Sequence, residues 1–241
     1  HAEAAGNAEA VLELTPVAAR RAAELGAHRE AAAQYERALR FGEHRPADQR
    51  ARLLACWYPE GLATAPLARC VDVASELIDL AHQRGDILEE ARWHSQQAWA
   101  LVNDGRNAEA DAAINRAIDL LGRVSVTSVH AEVYQTQARI RMLDRDYADS
   151  IASGEQAMTL ARRFELPQVH AGALNATGSS RLIGGDAARG RHELEEGLAI
   201  ARAAHLDLDI AALLGNLGSG HGEIYRFDLA ERYLTEGIAF A

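Results

Sequence analysis

Along this chain, small or apolar residues recur at three fixed relative positions, and the triplet returns about every forty residues. The six triplets are Ala31/Tyr35/Ala38, Cys70/Ala74/Leu77, Ala110/Ile114/Ala117, Ser150/Gly154/Ala157, Gly190/Leu194/Gly197 and Ala230/Leu234/Gly237; their first members step by 39 and then four times by 40. Offsets of four and seven put the three side chains on one helix face, where small residues let a neighbouring helix approach closely. Twelve residues ahead of four of the triplets stands another small residue: Ala98, Ala138, Gly178 and Gly218. Each repeat therefore reads as a helical hairpin, a first helix with one small contact residue and a second with a small-large-small stripe.

The first hairpin is expected over residues 9–41, with Gly26 between its helices. Pro46 breaks the array before a helix over 47–58. The stretch from Tyr58-Pro59 to Ala65-Pro66 reads as the longest irregular segment, either a long connection or a loop at the lip of a groove. From Leu67 the pattern predicts helices near 67–84, 87–104, 107–122, 127–143, 147–164, 168–183, 187–204, 208–224 and from 227 onward. Gly85-Asp86, Asp104-Gly105, Asp144-Arg145-Asp146 and Gly184-Gly185-Asp186 punctuate them, and Pro167 follows Phe164-Glu165-Leu166 where a helix should end. The repeat units fall at 9–45, 46–84, 87–124, 127–165, 168–205 and 208–241, and predict one elongated all-α domain over 1–241. The chain opens at His1 without a methionine and stops at Ala241 inside the last helical pattern, so it is read as a segment of a longer protein.

Composition agrees with helix throughout: alanine is abundant, aromatic residues make up 5% and prolines number five. A formal net charge of −10, with arginines spread among acidic residues, argues against a grip on nucleic acid, which draws on clustered basic side chains. Two cysteines, Cys56 and Cys70, form no CxxC pair and fit a reducing, cytoplasmic setting. Cys70 lies on the small-residue stripe and reads as a buried hydrophobe. The sequence has neither a long apolar run of membrane-spanning length nor a signal-peptide pattern at its start.

Chemistry-bearing motifs are sparse. GxxxxGK[ST], HExxH and GxSxG are absent, and the Cys/His spacing offers no closed zinc site, so no catalytic, cofactor-binding or metal-ligating residue is assigned and the segment is not expected to be an enzyme. Gly218-Ser219-Gly220-His221-Gly222-Glu223 imitates a phosphate loop but misses GxGxxG, because Glu223 stands where the last glycine belongs; Gly218 is better explained by its helix-contact register. His130 and His170 are forty residues apart. Equivalent positions of adjacent repeats lie roughly 10 Å apart, long for shared metal coordination, so both read as exposed histidines near helix starts.

Paired-helix arrays bind along the face formed by their first helices. If each small contact residue faces its hairpin partner, residues three before and one after it face that groove: Ser95 and Trp99, Gln135 and Arg139, Asn175 and Ser179, Gly215 and Ser219. Arg92 lies one turn before Ser95. Arg92, Ser95, Trp99, Gln135, Arg139, Asn175 and Ser179 are the candidate groove residues, an indole among guanidinium, amide and hydroxyl groups suited to a peptide, a protein segment or a small polar effector. The alternative is that Trp99 is core and the polar residues face water.

The hairpin stripe resembles the tetratricopeptide repeat, with a longer period and little of its first-helix aromatic signature. Longer repeats of this kind resemble the superhelical region of MalT-like signal-transduction ATPases. The opening HAEAAGNAEAVL, the run AARRAAELGAHREAAAQYERALR from Ala18, and DLAERYLTEGIA from Asp228 are similar to the repeat region of large ATP-binding LuxR-family bacterial transcriptional regulators. The resemblance implies a right-handed superhelical solenoid of TPR-like hairpins that senses an effector or partner. In that family an ATPase module precedes the repeats and a helix-turn-helix that binds promoter DNA follows them. Two further readings stay open. One is an adaptor scaffold gripping a peptide or helix, whose binding Trp99→Ala and Arg139→Ala would abolish; the other is a regulatory region beside a nucleotide cyclase. Self-association through exposed end helices is also expected.

Overall fold

The computed structural model describes residues 7–42 and 46–240. The first six residues of the opening similarity, the end of the first repeat unit at 43–45, and Ala241 lie outside the described residues. Among the described residues there are twelve α-helices and no strand. The chain divides into two compact units, His1–Leu120 and Leu121–Ala241.

The first unit contains α1 (Ala8–Glu24), α2 (His28–Phe41), α3 (Ala47–Thr64), α4 (Leu67–Arg84) and α5 (Ile87–Asn103), with α6 (Asn107–Leu121) ending at the boundary. Each of α1 to α4 packs on the next helix in sequence. Asn7 and Asp86 cap α1 and α5, accepting from the backbone N–H groups of Ala10 and Glu89 at 3.1 Å. The expected irregular segment after Tyr58 is instead helix: α3 continues through Pro59 to Thr64, leaving only Ala65 and Pro66 as the connection. Pro59 is exposed, on a side of the helix where water can donate to the carbonyl that its missing N–H leaves free, and Trp57, Tyr58, Glu60 and Gly61 around it are buried. Tyr58 meets Trp93 edge to face at 5.3 Å, and its hydroxyl donates to the Gln96 carbonyl at 2.7 Å.

The second unit contains α7 (Ser128–Leu143), α8 (Tyr147–Arg163), α9 (Pro167–Gly184), α10 (Ala187–Ala203), α11 (Asp207–Glu223) and α12 (Phe227–Phe240). Every helix packs on the next, and α7 also packs on α9 and α9 on α11. The odd-numbered helices thus form a closely spaced inner layer. Asp146 and Asp186 cap α8 and α10 through the backbone N–H groups of Asp149 and Arg189. The tight turns carry a positive φ at twenty-residue spacing, at Arg145, Glu165, Gly185, His205 and Tyr225. The same left-handed residue therefore closes each interhelical turn, with or without glycine.

The small-residue stripes are the contact lines between helices. In five of the six triplets all three residues are buried; in the sixth, Ala230 is buried and Leu234 is 44% exposed. Ala98, Ala138, Gly178 and Gly218 are buried as well. A Cβ on Gly178 would stand 2.8 Å from both the Gly190 carbonyl oxygen and Leu194 Cγ, and one on Gly218 would stand 2.5 Å from Leu234 Cγ. Gly220 is fitted just as tightly, 2.6 Å from Leu182 Cδ2. Two of the three glycines in the phosphate-loop lookalike are therefore packing residues. Cys70 is fully buried, as its stripe position implies. Leu182, Leu194, Leu198, Ile210, Leu213, Leu214 and Leu217 form the main apolar cluster of the second unit.

His130 departs from expectation: it is 5% exposed, and its Nδ1 accepts the Thr127 backbone N–H at 3.2 Å, closing a capping box at the start of α7. His170 is partly buried near Arg162. Burial lowers the pKa of both; the Arg162 guanidinium adds to the effect at His170, and a backbone hydrogen bond with Leu121 opposes it at His130. His94 in the first unit is lowered as well, by burial first and then by Arg116, against Glu90. A histidine lowered on folding contributes stability above its unfolded pKa of about 6.5, and that contribution is lost as pH falls through the folded value. The urea midpoint is accordingly expected to hold steady above about pH 7 and to fall below about pH 6.5, with His130→Gln flattening part of the fall. A midpoint unchanged from about pH 7.5 to 5 would contradict it.

Candidate functional site

The inner layer of the second unit gathers the polar side chains of three successive first helices. Arg139 lies on α7, Asn175 and Ser179 on α9, and Asp209, Asn216 and Ser219 on α11. Asn216 Nδ2 donates to Asn175 Oδ1 at 2.8 Å across the α9/α11 contact, and Gln168 Nε2 donates to Asp209 Oδ2 at 3.3 Å. Arg139 is partly buried, and that burial brings its guanidinium down to about 10 while Asp209 opposes the shift. Burial raises the Asp209 carboxyl, against the Gln168 hydrogen bond and the Arg139 charge. The face thus carries a partly buried cation and a partly buried anion whose charges act on each other, together with the Asn175–Asn216 carboxamide pair. An asparagine amide both donates and accepts, which suits it to the alternating C=O and N–H groups of an extended peptide.

Of the expected groove residues in this unit, Arg139, Asn175 and Gln135 are partly accessible. Gln135 reaches over α9 to the backbone at Gly172, where its Nε2 fills the space a Cβ would take. Ser179 is 5% exposed, enclosed below the surface of the groove, where it lines a cleft. A side chain of two heavy atoms does not clear longer neighbours on a packed helix face. Asp209, Gln168 and Asn216 were not singled out by the repeat register. The signal available for Asn216 was its place 41 residues after Asn175, one beyond the period.

Beside Ser179 the groove deepens into a cleft of about 170 Å³. Met142, Leu143, Tyr147 and Ile183 form its apolar side, and Asn216, Ser219 and Glu223 its polar side. Arg145 donates to Glu223 Oε2 at 3.1 Å and to the Tyr147 hydroxyl at 3.2 Å, forming the rim.

The candidates in the first unit do not assemble as expected. Ser95 is 2% exposed, and Arg92 is engaged in an ion pair with Glu89. Trp99 is partly buried, and its carbonyl accepts from Asn103 Nδ2 at 2.7 Å. The fully buried indole of this unit is Trp57, while Trp93 is 8% exposed. Among the described residues no group of histidine, cysteine and acidic side chains could hold a metal ion, and no helix is long and apolar enough to cross a membrane.

An all-helical chain of stacked hairpins with buried small-residue stripes has the fold of the TPR-like helical-repeat proteins. The apo form of RapI superposes with a TM-score of 0.79 at 10% identity, over 95% of this chain and 82% of RapI. A Rap protein complexed with competence and sporulation factor gives 0.72 at 10% identity, over 95% of this chain and 74% of that one. The nearly identical TPR-like repeats of a Podosopora anserina kinesin light chain give 0.60 at 14% identity, over 80% of this chain and 96% of theirs. At these identities the likeness is one of fold. No protein-family model matches the sequence, and no curated protein matches it.

Proposed function

We propose that the inner face of α7, α9 and α11 binds an extended peptide or a segment of a partner protein, and that the chain serves as a protein-interaction and effector-sensing module. The observation that carries this reading is the packing of α7 on α9 and α9 on α11, which joins Asn175 to Asn216 and brings Arg139 under the influence of the Asp209 charge. A fold shared with a Rap protein complexed with competence and sporulation factor supports it. The resemblance of the opening segments and of the segment from Asp228 to LuxR-type regulators is the ground for a finer version. In it an effector favours one arrangement of the repeats and so biases an ATPase and a DNA-binding domain elsewhere in a cytoplasmic protein, by differential affinity for two states. The adaptor reading shares the groove and lacks the switch.

Panning a phage-displayed random heptapeptide library against the full chain tests the groove. Selected peptides are expected to bind in a fluorescence-anisotropy titration, and Asn175→Ala to weaken them by about tenfold, the worth of one or two hydrogen bonds. Peptides unaffected by that substitution, or a library that yields none, would count against the groove. An ATPase motif upstream in the reading frame with a helix-turn-helix downstream separates the regulator from the adaptor.

A further inference from the structure

We propose that the 170 Å³ cleft beside Ser179 is an anchoring subsite for one side chain of the bound peptide, a side chain apolar along its body and ending in a neutral hydrogen-bonding group. The inference rests on the groove reading and adds to it the chemistry of one ligand position.

Three observations lead there. First, Ser179 Oγ is buried and has no hydrogen-bond partner in the folded chain. Buried hydroxyls are normally satisfied, and a mid-helix Ser or Thr usually turns back to the carbonyl four residues earlier. Thr15, Thr64, Ser75, Thr136 and Thr159 all do so here. Ser179 lines the cleft instead, where a rotation about χ1 can offer its hydroxyl to an occupant. Second, the cleft is mixed in character: Met142 and Ile183 contribute apolar surface, and Ser179, Asn216 and Ser219 contribute neutral polar groups. The ions at its rim, Arg145 and Glu223, already pair with each other, so the chemistry calls for an uncharged end on the ligand. Third, Gly215 stands one turn before Ser219 on the same face of α11, and a Cβ placed there would meet nothing within 4 Å. Unlike Gly218 and Gly220, it answers no internal packing demand. A bare helix backbone at that point lets the main chain of a ligand come close while a side chain enters the cleft.

The test uses the full chain and heptapeptides selected from the phage library. Their sequences are expected to share one position occupied by Tyr, Thr or Gln. Ser179→Ala should leave the melting temperature unchanged or raised, because it deletes an unsatisfied hydroxyl. It should also weaken the peptide about tenfold, and that loss should vanish against a peptide with the apolar counterpart at the shared position, Tyr→Phe or Thr→Val. Gly215→Ala should raise the melting temperature and weaken the same peptide. If Asn175→Ala weakens binding while Ser179→Ala does not, or if Ser179→Ala weakens both peptides equally, the subsite is overturned and the groove stands. If no selected peptide responds to Asn175→Ala, both fall.

Discussion

Alanine in place of Gly190 should lower the unfolding free energy by about 2 kcal/mol, and leucine by 3 kcal/mol or more, since overfilling a close-packed contact costs roughly this much. A Cβ at residue 190 would lie 2.6 Å from the Gly178 carbonyl oxygen and 2.7 Å from Leu182 Cα, with the Leu182 amide nitrogen closer still. All three are backbone atoms of α9, so no rotamer change makes room. The helices must separate, and the contact they would open is flanked by Leu182 and Leu194, each at most 1% exposed. Gly222→Ala is the control, because its nearest neighbour outside its own turn is the Ala230 Cβ at 4.0 Å. It should be neutral or stabilising by up to about 1 kcal/mol, the helix preference for alanine over glycine. Urea unfolding of the three variants checks the set. A Gly190→Ala protein as stable as the parent would mean that α9 and α10 do not approach backbone to backbone.

Gly190 also shows why so much of the fold was legible in the sequence. Close helix contacts leave a direct mark, since a position that must be small in every repeat repeats with the array, and the hairpins, their period and the buried stripes follow from that mark. The Pro59 boundary was misread because proline's lost hydrogen bond carries little weight where the freed carbonyl can reach water and the neighbouring residues are buried. The candidate groove was legible only as a register: it places a Cα on one helix face and does not report side-chain reach, so the partly accessible Arg139 and Asn175 and the enclosed Ser95 and Ser179 were selected alike. Asp209 and Gln168 sit in the first turns of their helices, outside the register used, and enter the groove through pairing across helices that no single repeat encodes. His130 was read as exposed because its role depends on Thr127, three residues earlier in the capping box.

Breaking the buried ion pair of the second unit should cost about 3 kcal/mol from either side, and removing both partners together should cost much less. Arg181 Nε donates to both carboxylate oxygens of Glu193, at 2.9 and 3.1 Å, with Arg181 9% and Glu193 7% exposed. Arg189 reaches Glu193 from one turn away at 3.1 Å, and Glu155 reaches Arg181 at 2.5 Å, so the pair ties α8, α9 and α10 together. Arg181→Met strands a buried carboxylate with only the exposed Arg189 to answer it. Glu193→Leu strands a guanidinium whose remaining carboxylate partner, Glu155, is half in solvent. The penalty in each case is chiefly the desolvation of the surviving charge, a fully buried pair being itself close to break-even against apolar packing. The double variant removes both charges and keeps the side-chain volume, so a double-mutant cycle by urea unfolding should give a coupling of at least about 2 kcal/mol. If the double variant loses the sum of the two single losses, the charges do not depend on each other; each would then be held by solvent or by its outer partner, and the pair would not join α9 to α10.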